Sequence, residues 1–478
     1  MMLVGTGSDV GKSVLATALC RIFLDEGYRP APFKAQNMAL NSYATPDGFE
    51  IGRAQAVQAE AARLACSTDM NPLLLKPNSE HTTQVVLNGK PIGNRSAYEY
   101  FRREGREELR EAVCAAFDRL AAQYNPIVME GAGSVSEINL RDTDLVNMPM
   151  ARHAGADVIL VADIDRGGVF ASCYGSVMLQ TPEDRKRIKG IIINKFRGDI
   201  RLFEDGKRML EKLCGVPVLG VVPMFKGIAI DEEDSVELER KGHSLVKDKV
   251  NVAVVLLRHI SNFTDFNVLE RDERVNLFYT NNVADIEKAD IVILPGTKST
   301  LDDLYELRLN GVAQALLAAH RRGTMVVGIC GGYQMLGQMV ADPYSVEGSV
   351  PQLPGLGLLD VSTVMLGDKT TRQIDFVFEG KACKGYEIHQ GATTHSSGIH
   401  AGEKADAVVY GSNCIGTYIH GFLDNEAVID YLLKPFANRE KKTESETPEA
   451  FRDRQYDLLA AHVRKYVDID KLMDILAL

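Results

Sequence analysis

The stretch Met1-Met2-Leu3-Val4-Gly5-Thr6-Gly7-Ser8-Asp9-Val10-Gly11-Lys12-Ser13 decides the first half of the chain. An apolar run reads as a buried strand, the glycines as a loop, and Lys12-Ser13 as the first turn of a helix. That helix is expected over 12–26, because Val14, Leu15, Ala18, Leu19, Ile22 and Phe23 fall on one face at helical spacing. A strand, a glycine loop and a helix N-terminus together hold a polyphosphate: the backbone N–H groups of the loop approach the oxygens and the helix dipole adds positive potential. Gly5, Thr6, Gly7, Asp9, Val10 and Gly11 are candidates for the cradle, Lys12 for the outer phosphates and Ser13 for Mg²⁺. The spacing departs from the common GxxxxGK[ST] form by one residue, since Gly5 lies six positions before Gly11.

Outward from this loop, short apolar strands alternate with helical stretches. Strands are expected at 31–35, 126–130, 157–162, 190–194 and 216–222, with an alanine-rich helix at 52–65. That alternation predicts an α/β fold with a parallel sheet and helices on both faces. Glu130 ends an apolar strand and is followed by Gly131-Ala132-Gly133, the place for a second Mg²⁺ contact. Asn194, at the end of another strand, is a candidate to frame the nucleotide base. The charged, apolar-poor stretch 231–248 reads as a linker. The alternation then restarts, with strands expected at 251–257, 291–294 and 325–329, and further strands of a mixed sheet at 361–365, 373–377, 407–410 and 414–418. The expected division is 1–235 for a first domain, 236–249 for the linker, 250–438 for a second domain, and 439–478 for a polar connection and helical tail.

A second chemistry lies in Val327-Gly328-Ile329-Cys330-Gly331-Gly332-Tyr333-Gln334. A cysteine between a strand and a helix sits at a helix N-terminus, which lowers a thiol pKa and favours a nucleophilic thiolate. The Gly331 N–H is placed for an oxyanion hole, with a second donor expected at Gly296 in Leu294-Pro295-Gly296-Thr297-Lys298-Ser299. Two histidines, His389 and His420, both end strand-like segments, and chemistry alone does not choose between them as the base.

Composition bounds the rest. A chain of 478 residues with 45% hydrophobic and 25% charged side chains is an ordinary globular composition of two or more domains. A net charge of −11 argues against nucleic acid or an anionic membrane as partner. The eight cysteines lack paired spacing, as expected of reduced thiols in the cytoplasm. No apolar run approaches the roughly 20 residues that span a bilayer. Oligomeric state is not legible.

The cysteine motif and Thr417-Tyr418-Ile419-His420-Gly421 resemble the class I glutamine amidotransferase family, in the subgroup serving cobalamin biosynthesis. The resemblance implies that Cys330 attacks the glutamine amide, that ammonia leaves, and that His420 is the base. The wider family carries a glutamate two residues after this histidine, where this chain has Phe422. A Cys-His dyad with a less preorganised imidazole is therefore expected. The first half is similar to dethiobiotin synthetase-like ATPases, whose loop has the same shifted glycine. The stretch Phe33-Lys34-Ala35-Gln36-Asn37-Met38-Ala39-Leu40-Asn41-Ser42 resembles the cobyric acid synthases in particular, and Gly52-Arg53-Ala54-Gln55 and Ser261-Asn262-Phe263-Thr264-Asp265 continue the likeness.

That resemblance implies ATP- and glutamine-dependent amidation of the b, d, e and g carboxylates of adenosylcobyrinic acid a,c-diamide, through an acyl phosphate. ATP would lie on Gly5–Ser13, with Mg²⁺ on Ser13, Glu130 and Asp47. Substrate contacts are expected from Lys34, Gln36, Asn37 and Asn41, and from Asp163, Asp165 and Arg166 at another strand end. Lys76 is a further candidate for charge neutralisation. Two rival readings are an amidotransferase for another polycarboxylate, and a P-loop switch ATPase with a degenerate amidotransferase-like regulatory domain.

Overall fold

The structure, a computed structural model, describes residues 1–78, 82–100, 106–231, 245–395, 407–439 and 446–478. Most of the expected linker therefore lies outside the described residues, as does most of the polar connection after residue 439.

The first half is built on six parallel strands in the order Val218–Pro223, Ile188–Phe196, Val158–Asp163, Met2–Gly5, Ile127–Glu130, Ala31–Phe33. Its central strands are buried on both faces, which is why they read as unbroken apolar runs. Strand Met2–Gly5 lies between Val158–Asp163 and Ile127–Glu130. The phosphate loop thus leaves the middle of the sheet at the strands' C-terminal edge, where ligands of open α/β sheets bind. Helix Lys12–Asp25 follows directly. The alanine-rich helix is shorter than expected, Arg53–Ala61. Two small sheets lie outside the expected pattern. One joins Gln36–Met38, Leu73–Pro77, Thr82–Leu87 and Lys90–Ser96, and the other is the hairpin Ser42–Ala44/Glu50–Gly52.

The second half carries a six-stranded sheet in the order Val275–Thr280, Val250–Val255, Ile291–Leu294, Met325–Ile329, Cys414–Thr417, Val408–Gly411. All its pairs are parallel except the last. The strands expected at 361–365 and 373–377 are one strand, Val361–Phe378, antiparallel to Lys381–His395 in a separate sheet. The polar residues between them read as a break. They are instead the half-exposed middle of a long hairpin, which one covered face suffices to hold.

Two packed contacts are among those that join the halves. The Ser42–Gly52 hairpin packs on the Lys381–His395 strand, with Ala44 against Tyr386 and Ile388. The last long helix, Pro448–Tyr466, returns to the first half. Thr447 caps it by accepting a hydrogen bond from the Ala450 N–H, Pro448 occupies its first turn, and Arg464 and Lys465 sit in its last turn. Its Tyr456, Leu459, Ala460 and Val463 share one apolar cluster with Leu15, Leu19 and Val222.

Candidate active sites

At the sheet edge of the first half lies a cavity of about 1070 Å³. Ser8, Asp9, Gly11, Lys12 and Ser13 line one end of it. Lys12 folds back over the loop, its Nζ donating to the carbonyls of Gly7 (3.0 Å) and Gly133 (3.1 Å). Gly5 is required for that fold, because a Cβ there would stand 2.8 Å from Lys12 Nζ and from the Gly7 carbonyl. Gly5, Thr6, Gly7 and Val10 are not on the cavity wall. They shape the loop from behind: Thr6 N–H donates to Val161 O, and Val10 is buried.

Asn194 is not on the cavity wall. Its Nδ2 donates to Val10 O at 2.9 Å and packs so closely on Gly11 that a Cβ there would clash at 2.1 Å. It is a brace for the loop. Glu130 gathers three donors: Ser13 Oγ at 2.7 Å, Gln58 Nε2 at 2.6 Å and Lys34 Nζ at 2.8 Å. Burial alone would raise the Glu130 pKa, but Lys34 and these hydrogen bonds outweigh it and hold the carboxylate below its ordinary value.

Lys34, Gln36, Asn37 and Arg166 reach this cavity as expected, but four other candidates do not. Asp47 sits exposed on the hairpin turn, where Thr45 Oγ1 donates to it, away from Ser13 and Glu130. Asp163 is occupied by Lys195 at 3.4 Å, Arg166 at 3.7 Å and the Asp165 N–H, and Asp165 by Arg197 at 2.6 Å. Asn41 is buried between the halves and lines neither this cavity nor the cysteine site. Sequence reasoning missed several wall residues: Arg106, Arg141, Arg152 and, from the second half, Phe263, Asn267 and Arg271. The wall carries eight basic and six acidic side chains, and two of the basic ones, Arg152 and Lys195, are paired with Asp184 and Asp163 behind it.

The second site is small, about 30 Å³, and lies where the halves meet: Ser42 and Lys76 line it together with Cys330 and His420. Cys330 has φ 52° and ψ −110°, a left-handed φ that a non-glycine residue holds only under constraint. Its N–H donates to Thr417 O at 2.8 Å and its carbonyl accepts from Gln334 N–H at 3.1 Å, which fixes the turn. Gly332 is obligatory, since a Cβ would stand 2.1 Å from Leu294 O. Gly331 abuts the Thr297 backbone and shares the site wall with Cys330, and a Cβ on Gly296 would lie 3.2 Å from His420 Cε1.

His420 borders Cys330 on one side, where the Cys330 thiol donates to Ile388 O at 3.5 Å. On the other, Nδ1 lies 2.7 Å from Asp265 Oδ2, while Asp265 Oδ1 accepts from the Gly421 N–H at 2.9 Å. Burial opposes the imidazolium, but Asp265 and the Cys330 contact outweigh it and push the pKa up to about 10. The expected dyad is thus corrected. A carboxylate reaches the imidazole from a segment 155 residues upstream instead of from the position two residues after His420. His389 is a different case. Its ring stacks on Tyr418 at 3.7 Å, its Nδ1 is buried without a partner among the described residues, and burial pulls its pKa down to about 3.

A buried ion cluster adjoins the cysteine site, whose wall includes Lys76 and Lys369. Glu50 pairs with Lys76 at 2.7 Å and with Lys369 from the facing half. Burial pulls Lys369 down to about 7 despite Glu50, and burial likewise lowers Lys298, which donates to Gln390 Oε1 at 3.3 Å.

A phosphate loop on a parallel sheet, joined to a cysteine elbow with a His–Asp pair, defines a two-domain glutamine-dependent amidotransferase. Comparison with protein families agrees. Residues 1–237 match the CobQ/CobB/MinD/ParA nucleotide binding domain, and residues 251–428 the CobB/CobQ-like glutamine amidotransferase domain. A cobyric acid synthase of Bacteroides fragilis is 68% identical over 485 residues, covering 100% of this chain and 98% of that one. Those of Syntrophobacter fumaroxidans (47%) and Salmonella typhimurium (46%) are similar over the same shares of both chains. The chain belongs to the cobyric acid synthase family.

Proposed function

We propose that this chain amidates the b, d, e and g carboxylates of adenosylcobyrinic acid a,c-diamide, using one ATP and one glutamine for each. It is a glutamine-dependent carbon–nitrogen ligase of cobalamin biosynthesis by its family, and the finer assignment of positions and residues is our reading. The observation that carries it is the cavity of about 1070 Å³, which has the phosphate loop at one end and residues of the amidotransferase half in its wall. It is larger than the ~300–1,000 Å³ of ordinary small-molecule pockets, as a nucleotide and a bulky polycarboxylate together require.

In the second half, Cys330 Sγ adds to the glutamine amide carbon. The developing oxyanion is met by the Gly331 N–H, with Gly296 alongside. His420, held as imidazolium by Asp265, gives its proton to the departing ammonia, and then takes one from the water that hydrolyses the thioester to glutamate. In the first half, a substrate carboxylate oxygen takes the γ-phosphoryl group of ATP and ADP leaves. Ammonia then adds to the acyl phosphate carbon, and inorganic phosphate departs to give the amide. Lys12 and Lys34 neutralise charge on the transferring group, and no protein nucleophile is needed. Ser13 Oγ and Glu130, 2.7 Å apart, suit Mg²⁺, which is commonly held by one carboxylate, a hydroxyl, phosphate oxygens and water. Bound there, Mg²⁺ would supply charge neutralisation on the phosphates. Asp47 has no part in that set.

Small-molecule substrates are the partners in this reading. Among the described residues no helix is long and apolar enough to cross a membrane, and all eight cysteines are free, as a cytoplasmic enzyme would have them.

The test is mass spectrometry of adenosylcobyrinic acid a,c-diamide incubated with protein, Mg-ATP and glutamine. Four successive losses of about one mass unit, each an OH replaced by NH₂, are expected. Efficient amidation of a different polycarboxylate, with none of the corrinoid, would overturn the assignment.

A further inference from the structure

Asn41 stands in the sequence stretch most characteristic of this family, yet it lines neither site. It is 1% exposed. Its Oδ1 accepts from the backbone N–H of Phe263 in the other half at 3.3 Å. The exchange is reciprocal: Asn262 Oδ1 accepts from the N–H of Ser42, the residue after Asn41, at 2.9 Å. Two asparagines thus clamp two backbones across the boundary between the halves, each satisfying a buried N–H of the other. Asn262 adopts φ 52°, a left-handed conformation that starts the short turn Phe263–Phe266. Its carbonyl accepts from the Asp265 N–H at 3.0 Å. Asp265 is the partner of His420.

The same turn continues into the ATP-side cavity. Asn267, two residues beyond Asp265, lines it and donates to Asp231 at 2.8 Å, and Asp231 pairs with Arg53 of the first half at 2.7 Å. Arg53 lies over the Tyr43 ring, Tyr43 packs on Tyr386, and Tyr386 stacks on His420. His420 is therefore held from two sides by contacts that begin in the first half.

Resting on the functional reading above, we propose that Asn41 is a positioning residue for glutamine hydrolysis. It sets the register of the turn that carries Asp265, and so couples the His420 imidazole to the seating of the ATP-using half. It is not a substrate contact. A single buried hydrogen bond to the backbone is enough to shift a carboxylate that must meet an imidazole within a few tenths of an ångström.

The experiment compares Asn41→Ala with the unmodified full chain, measuring amidation with glutamine and with ammonia, and glutamate release alone. We expect the glutamine-to-ammonia rate ratio to fall about five- to tenfold, the scale of one net hydrogen bond. The loss should be in kcat for glutamine hydrolysis, with KM nearly unchanged. The alkaline limb of its pH profile should move to lower pH, because a loosened Asp265 holds the imidazolium less well. An unchanged ratio, or equal loss with both nitrogen sources, overturns the proposal. Asn41→Ser, a smaller change that keeps a hydroxyl, is read on the same ratio and decides the matter if the alanine variant does not fold. Should the unmodified protein fail to amidate the corrinoid with ammonia, the functional reading fails separately. Glutamate release then still tests Asn41, and wild-type release with a wild-type pH profile overturns it.

Discussion

Replacing Asp265 by alanine removes the carboxylate on His420 while leaving the Cys330 elbow untouched. The two side chains share a charge-assisted hydrogen bond of 2.7 Å and are only 3% and 1% exposed, so solvent does not take over its role. Such bonds contribute about 1.5–3 kcal/mol, which at ~1.36 kcal/mol per decade predicts a fall of about 10- to 150-fold in glutamine hydrolysis. The direction of the pH effect follows as well. Burial penalises the imidazolium, and Asp265 with Cys330 reverses that penalty to give a pKa of about 10. Without Asp265 the burial penalty dominates, so the imidazolium is lost at lower pH and the alkaline limb of the glutaminase profile must descend. The assay is glutamate release from about pH 6 to about pH 10.5, with ammonia-dependent amidation as the control for an intact first half. Ammonia-dependent rates within about twofold of the parent are expected. A loss in glutamine hydrolysis smaller than threefold with an unmoved alkaline limb would refute the assigned role of Asp265.

Three further outcomes follow from the two sites. Cys330→Ala should lose glutamine-dependent amidation and keep ammonia-dependent amidation, because only ammonia release needs the thiol; product mass spectra with each nitrogen source check this. Lys12→Ala should lose both by at least about 100-fold, since either nitrogen source requires the acyl phosphate, and ADP release reads it directly. Glu50→Gln should cost about 3–5 kcal/mol in chemical denaturation at pH 7, because it strands Lys76 as a buried charge and takes from Lys369, already pulled down to about 7, the anion that keeps it protonated. The two lysines outweigh burial and hold Glu50 well below its ordinary 4.5, so its contribution is fully present above pH 4.5 and is lost as pH falls toward the folded-state value. The acid limb of unfolding should accordingly flatten in the Gln variant.

What is legible in the sequence is what local chemistry specifies. A strand running into a Gly-rich loop and Lys-Ser can hardly be anything but a phosphate loop, and Gly328-Ile329-Cys330-Gly331-Gly332 announces a strained elbow because each glycine answers a close backbone approach. Glu130 is visible as a carboxylate at the end of a buried strand. Asp265 is not, although its stretch stands out, because nothing in a spacing of 155 residues says that a turn will deliver it to His420. Asp47 attracts a functional reading through the family resemblance, and Asp163 and Asp165 through their position at a strand end. Asp47 is held by Thr45 on its own turn, while Lys195, near the end of strand Ile188–Phe196, and Arg197 just beyond it reach Asp163 and Asp165 through an arrangement that only the tertiary fold supplies. The long hairpin Val361–Phe378/Lys381–His395 is hidden for a related reason: its polar middle answers to one packed face and a solvent face. Lys369, which completes the Glu50 cluster, lies in that polar middle.

The return of helix Pro448–Tyr466 to the first sheet bears on how the chain is assembled. The apolar face made by Leu15, Leu19 and Val222 finds its cover only in residues from the far end of the chain, Tyr456 to Val463. During synthesis the first domain must therefore wait, with that face bare, while the whole second domain emerges and folds. Contacts of such sequence separation form late and slowly. A fragment stopped at residue 237, where the nucleotide-binding family match ends, would keep its phosphate loop but carry an exposed apolar strip. The two halves are consequently unsuited to separate expression as independent modules: the second is threaded between the body of the first and its own last wall.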